Sequence, residues 1–294
     1  LREWPHRFVA LRDLRRAYIE RQYPEIREKT KRYIIRPSYN EAIEWLDEQC
    51  QPEREEEPLG GDIETPWGWW NLVGHIACMG FSTSRNDAIC IPLMCVDDKE
   101  GYWSPDQEVE IVLAIRRLMT TRPLIFHNGV FDVMHIIRHW GFLPRWTDDT
   151  MVMQHIRFPS LMGSGKVDPV TGKETKKGSS RSLAFCASIY CEHYLAWKDD
   201  GKNWNQKEIP NEDGWWSYNC DDTTNMYEIF EVLRDALHRE NLYKQYRFSM
   251  SRSGPALDMM MRGFPLDHDL LQQYRDSVKE DIQEIEEWIN GVCG

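Results

Sequence analysis

The sequence predicts an α/β protein built on one mixed sheet with helices on both faces. Two observations carry that expectation. Short apolar runs of strand length occur at 59–64, 72–82, 87–93 and 123–128, and stretches with helical period lie between and after them. No internal repeat is present.

Residues 7–32 are charged, with scattered Leu, Ile, Phe and Tyr and a proline at 24, and read as broken, partly exposed helix. "YIIR" (33–36) is a short strand, and "NEAIEWLDEQC" (40–50) a helix with Ile43 and Leu46 at helical spacing. "EREEEP" (53–58) is a solvated connector. After the strand at 59–64, "LVGHIACMGFS" (72–82) and "DAICIPL" (87–93) flank the polar turn "TSRN" and predict a hairpin. "DQEVEIVLAIRRLM" (106–119) predicts an amphipathic helix with Val109, Val112, Leu113 and Leu118 on or near one face. "PLIFHN" (123–128) is a buried strand, and Asn128 with Gly129 marks its turn into a helix through Trp140. Residues 160–180 break the pattern with Gly, Ser and four Lys against Asp168 and Glu174, as a mobile loop would; "GSGK" there lacks the glycine spacing of a phosphate loop. Helix resumes near Ser182, a long one runs from about Asp213 to Glu240, and a turn and another helix follow Arg252.

Hydrophobic residues at 41% and charged residues at 29% are those of an ordinary globular protein, and 13 Trp point to packing or stacking surfaces. The net charge of −12 argues against a broad electrostatic grip on nucleic acid, though not against a local site where metal ions bring the positive charge. Eight Cys without a C-x-x-C pair read as reduced, mostly buried thiols of a cytosolic protein. No run of 18 apolar residues and no signal-peptide pattern occurs, so no membrane association is expected. A chain that begins at Leu1 and stops at Gly294 just after a helical pattern is expected to be a fragment.

The chemistry begins at "GGDIET". On a strand, Asp62 and Glu64 point to one side while Ile63 points to the other. Two like charges at that separation repel, and a divalent cation between them reverses the sign. The tripeptide alone is equally compatible with a strand end bearing two solvated acids. On the long helix, stepping back by four from Met226 reaches Asp222 and then Tyr218, so a carboxylate and a phenol continue the apolar stripe of Ile229, Phe230, Leu233 and Leu237. A buried Asp costs several kcal/mol, roughly, unless paired or metal-bound. An exposed first turn is the alternative, and Asp221 suits that position better. In "HNGVFD", Asn128 ends a strand and caps the next helix, with Asp132 four residues on and facing the same way.

Asp-x-Glu on a first strand, Asn-x-x-Phe/Tyr-Asp after a later one and Tyr-x-x-x-Asp on a late helix resemble the three exonuclease motifs of the DEDD superfamily. They stand here as Asp62-Ile63-Glu64, Asn128 through Asp132, and Tyr218 through Asp222. Tyr218, with Ser217 where other members carry a His, is similar to the tyrosine subclass. The flanks "YIIRPSYNEAIEWL", "NLVGHIACMGFS", "AICIPL", "TDDTMVM", "RSLA" and "YNCDDTTNMYEIF" resemble the 3′–5′ proofreading domain of family A (polymerase I type) DNA polymerases over residues 33–248. "MMMRGFPLD" resembles the connection into that family's polymerase region. The loop at 160–180, the Trp-rich "TPWGWW" and Arg181 before "SLA" depart from the pattern.

The resemblance implies a ribonuclease H-like sheet. It implies a helical extension at 1–32, the exonuclease domain at 33–248 and, at 249–294, the helical start of a connection to a polymerase domain absent here. It further implies two divalent ions, Mg²⁺ or Mn²⁺, held by Asp62, Glu64, Asp132 and Asp222. Asp62 would bridge both ions, Glu64 and Asp222 would complete the first site, and Asp132 would support the second. Tyr218 would orient the attacking water, its ordinary pKa near 10 making it a poor base. Nucleoside 5′-monophosphates would leave a single-stranded DNA 3′ end held by Thr65, Asn128 and Phe131, with Phe131 or a Trp from 67, 69 and 70 stacked on a base. The loop at 160–180 would be a solvated insertion or a DNA-contacting flap. The partner would be the polymerase domain of the same full-length chain, and the setting the cytoplasm of a bacterial or phage-infected cell. Two other readings stay open: a stand-alone RNase D-like RNA exonuclease, and an inactive nucleic-acid-binding scaffold. His135 and His139 lie four apart but lack the Glu of a H-E-x-x-H zinc motif, and Asp148 and Asp149 read as caps rather than ligands.

Overall fold

The computed structural model describes residues 4–25, 27–65, 75–95, 101–159, 166–167, 174–175, 180–193, 197 and 212–293. Trp67, Trp69 and Trp70, and most of the loop at 160–180, lie outside the described residues.

In chain order the elements are α1 (Trp4–Glu20), β1 (Arg32–Ile34), α2 (Tyr39–Gln49), β2 (Leu59–Glu64), β3 (Cys78–Ser82), β4 (Asp87–Pro92), α3 (Pro105–Thr121), β5 (Leu124–Phe126), α4 (Val130–Trp140), β6 (Trp146–Asp149) and α5 (Thr150–Arg157). The short strands β7 (Lys166–Val167) and β8 (Glu174–Thr175) pair antiparallel within the loop region, and α6 (Leu183–Tyr190) follows. Next come α7 (Glu212–Arg239), α8 (Tyr243–Ser251), α9 (Ser253–Arg262) and α10 (His268–Cys293). The chain divides into two compact units, Leu1–Gly254 and Pro255–Gly294, and the six-stranded sheet lies in the first.

Six strands form one mixed sheet in the order β1-β4-β3-β2-β5-β6. The predicted hairpin is β3–β4, antiparallel, while β2 runs antiparallel to β3 and parallel to β5. The strand order thus places β2, with its two acids, near the middle of the sheet. Alternation along β2 gives Gly60, Asp62 and Glu64 one face and Leu59, Gly61 and Ile63 the other. Helix α7 packs on the first face because two glycines leave it room. A Cβ on Gly60 would lie 3.3 Å from both Thr223 O and Met226 Cε of α7, and one on Gly80 would lie 2.2 Å from Asn219 Oδ1. The opposite face is covered by α2, whose Trp45 ring lies 6.1 Å from that of Phe81, and α3 packs on α2.

Two sequence expectations are corrected here. In α3 the buried residues are Ile111, Ala114, Ile115, Leu118 and Met119, whereas Val109 and Leu113 are exposed. The helix carries apolar residues on more than one side, and its packing on α2 selects the stripe through Ile111 and Ile115. Asp221 is not an exposed first-turn residue. Helix α7 already starts at Glu212, and Asp221 is buried, ion-paired with Lys31 (2.7 Å) and accepting from the Tyr33 hydroxyl (2.9 Å). Among the described residues no helix is long and apolar enough to cross a membrane, and the cysteines present are free, five of them buried.

Candidate active site

The β2–β5 pairing stops at Gly60 and Ile125, so the far end of β2, with Asp62 and Glu64, runs on past its neighbour. Such a strand end, beside the start of a helix, is where α/β sheets place ligands. Across it lies α7. Its Asp222, 5% exposed, continues the buried stripe through Met226 as the helical period requires. One carboxylate oxygen each from Asp62, Glu64 and Asp222 lies within 4.8 Å of the other two. Asp62 and Glu64 are half-buried.

Two neutral donors serve Asp222. The Tyr218 hydroxyl hydrogen-bonds it, and Trp197 Nε1 donates to its Oδ1 at 2.5 Å. Burial, followed by the negative charges of Asp222, Glu64 and Asp62, pushes the Tyr218 phenol above its ordinary range. It therefore stays protonated near neutral pH and acts as a donor. Asn219, fully buried, donates from Nδ2 to Asp62 Oδ2 at 2.8 Å.

Asp132 sits apart from this trio in character. It lies in the first turn of α4, is 4% exposed, and its Oδ1 accepts from the Ile63 backbone N–H at 3.1 Å. Burial pushes its carboxyl up to about 7, opposed by the Ile63 amide and aided by the charges of Asp149 and Asp222. Its anchor is thus the backbone between Asp62 and Glu64.

Asn128 does not cap α4. Its backbone is left-handed (φ 68°), Gly129 occupies the cap position without a side-chain hydrogen bond, and Asn128 is exposed. Because Asn128 lies outside the helix, the four-residue spacing does not align it with Asp132. The capping work falls to Asp149. Its carboxylate accepts from the N–H groups of Asn128 (3.2 Å), Gly129 (2.8 Å), Met151 (2.9 Å) and Val152 (3.2 Å). Those donors partly offset the upward push that burial gives its pKa. Asp149 is a cap, as its place before α5 predicts, and Asp148 accepts from the Tyr246 hydroxyl at 2.8 Å. Thr65 follows β2 directly and is half-buried, and the half-buried Phe131 ring lies 4.7 Å from that of His135. His135 and His139 stack at 5.7 Å, and among the described residues no histidine joins a metal-ready cluster.

Sequence reasoning missed Asn219 and Trp197. Asn219 adjoins Tyr218 but lies outside the motif spacing, and Trp197 comes from a stretch with no periodic signal.

No family model matches the chain, and no curated protein matches it. Solved structures do. The POL domain of Pol1 from M. smegmatis, in complex with DNA primer-template and dNTP, is 13% identical with a TM-score of 0.58, over 86% of this chain and 35% of that one. The catalytic core of RRP6 from Trypanosoma brucei is 16% identical with a TM-score of 0.50, over 77% and 52%. Brucella melitensis NrnC is 14% identical with a TM-score of 0.50, over 70% and 86%. The chain therefore spans about half of the RRP6 core and about a third of the Pol1 structure. At these identities the likeness is one of fold: a ribonuclease H-like α/β sheet with flanking helices.

Proposed function

We propose that this chain is a metal-dependent 3′–5′ exonuclease of the DEDD type and, more narrowly, the proofreading domain of a family A DNA polymerase. The observation that supports it best is the convergence of Asp62, Glu64 and Asp222 from two distant stretches of chain onto one point. Three carboxylates so close repel one another in the absence of a cation, and an all-oxygen set suits Mg²⁺ or Mn²⁺. The donor set therefore fits the divalent ions that the sequence motifs imply. Asp62, Glu64 and Asp222 would hold them, with Asp132 alongside. When bound, such ions supply an activated water and stabilise the charge on the leaving 3′ oxygen.

The rest of the work belongs to the chain. Tyr218, kept protonated, fixes Asp222 by donating to it, and its oxygen would orient a water by accepting a hydrogen bond from it, without taking up a proton. Trp197 holds the other aspect of Asp222. Thr65, Asn128 and Phe131 flank the acids and would hold a single-stranded 3′ end, Phe131 by stacking. Residues 33–248 form the exonuclease domain in this reading, with 1–32 an extension and 249–294 leading toward a polymerase domain of the same chain.

The test uses 5′-labelled single-stranded DNA and RNA with Mg²⁺ or Mn²⁺, beside Asp62→Ala and a chelator. Stepwise shortening of DNA from the 3′ end, lost in both controls, is expected. Preference for RNA would move the assignment to an RNase D-like enzyme. No degradation by the folded protein with either metal would falsify the reading and leave a binding scaffold.

A further inference from the structure

Resting on that metal-site reading, we infer that Asn219 is a positioning residue that sets the carboxylate of Asp62, with Gly80 as the bare site that admits it. Asp62 and Gly80 are paired across β2 and β3. Asn219 reaches from α7 into the space above this pair, and its Nδ2 donates to Asp62 Oδ2 at 2.8 Å and, more weakly, to the Asp62 carbonyl at 3.5 Å. The same amide group thus addresses both the side chain and the backbone of one acid. It is fully buried, and its Oδ1 has no hydrogen-bond partner among the described residues.

The donation to Asp62 fixes which way the amide faces. Turning it over would aim Oδ1 at the Asp62 carboxylate, acceptor against acceptor, and would leave the two N–H groups facing a glycine. A buried unpaired acceptor is itself unfavourable. The donation to Asp62 is the contact that offsets it. A neutral amide donor leaves the charge of Asp62 in place, occupies one lone pair of Oδ2 and restricts rotation of the carboxylate. One oxygen of the same carboxylate lies within 4.8 Å of an oxygen of Glu64 and one of Asp222. A cation donor in the same place would compete with a metal ion, and a second carboxylate would add to the repulsion.

The glycine completes the device. A Cβ on residue 80 would come within 2.2 Å of Asn219 Oδ1 and 2.8 Å of its Cγ, with Thr223 Cγ2 at 3.1 Å. A methyl group there evicts the amide without changing any acid. With Ala at 219 the two closest clashes vanish. Gly80 and Asn219 should therefore behave as one unit in a double-mutant cycle.

The experiment measures Mn²⁺ binding by electron paramagnetic resonance, with the melting temperature of the metal-free protein as the control for folding. Asn219→Ala is expected to weaken Mn²⁺ binding about tenfold, the lower end for a residue that orients a metal ligand. Gly80→Ala is expected to match it, and the double variant to be no weaker than Asn219→Ala within about twofold. Asn219→Leu, close in shape and unable to donate, replaces Asn219→Ala should the smaller side chain prevent folding. Wild-type affinity in a folded Asn219 variant, or a double variant whose losses multiply, overturns the inference. Absence of Mn²⁺ binding in the wild type itself overturns the metal-site reading instead, so the two failures are distinguishable.

Discussion

Four carboxyl groups named by one set of motifs occupy two unlike places. At the corner of β2 and α7, Asp62, Glu64 and Asp222 crowd together, with two of them half-open to water. Like charges at that separation repel, and a positive charge placed between them reverses the sign. In the first turn of α4, Asp132 is sealed from water, holds the Ile63 amide, and is raised to about 7. The corner gathers three carboxylates at one point, whereas Asp132 stands by itself, its carboxyl pushed up to about 7 by burial. The difference shows that a shared motif does not give its members a shared electrostatic state: exposure and neighbours set that.

The comparison breaks most readily at the corner. Glu64→Ala should lower exonuclease turnover by about a thousandfold or more, the scale on which a member of a catalytic unit acts. It should also raise the melting temperature of the metal-free protein, because one of three like charges has gone. A melting scan with and without Mn²⁺ reads both parts, and an unchanged Mn²⁺-induced shift would remove Glu64 from the site. Next in size is Tyr218→Phe, expected to slow turnover by about ten- to a hundredfold through misplacement of a water. Mn²⁺ affinity should be nearly unchanged, and the wild-type pH–rate profile should carry no limb from this phenol near neutrality. Trp197→Phe, which cannot donate to Asp222, should weaken Mn²⁺ binding by about tenfold, read by titration.

The smallest effect sharpens the other side. The carboxyl of Asp132 binds its proton more tightly in the folded chain than at its ordinary pKa of about 3.9. Its stabilising contribution is thus complete below about pH 4 and is lost as pH rises through about 7. Asp132→Asn keeps an oxygen for the Ile63 amide and has no proton to lose. In the metal-free protein it should raise the melting temperature by a few degrees at pH 8 and by little at pH 4. Equal gains at both would show that desolvated charge is not what distinguishes Asp132.

Periodicity is what made the corner legible. Strict alternation put Asp62 and Glu64 on one face, and a helical step from Met226 reached Asp222, because both readings follow a single element. Reading failed where the answer depended on a second element. In α3, Leu113 is as apolar as Ile111, and only α2 decides which one is covered. Asn128 has the composition of a cap, yet its left-handed backbone follows from the turn into α4. Asn219 becomes meaningful only when β3 supplies a glycine opposite, and Trp197 only when it meets Asp222 of α7.

Asp149 ties together pieces of chain about twenty residues apart, gathering two amides from the turn before α4 and two from the start of α5. Opening either piece alone would strand the carboxylate with half its donors in a buried setting. The amides of Asn128, Gly129, Met151 and Val152 should therefore exchange with solvent deuterium as one cooperative unit, at a common rate set by a single opening event. The turn that launches Asp132 then borrows its rigidity from a helix on another strand's end, and the timing of its fluctuations is not its own.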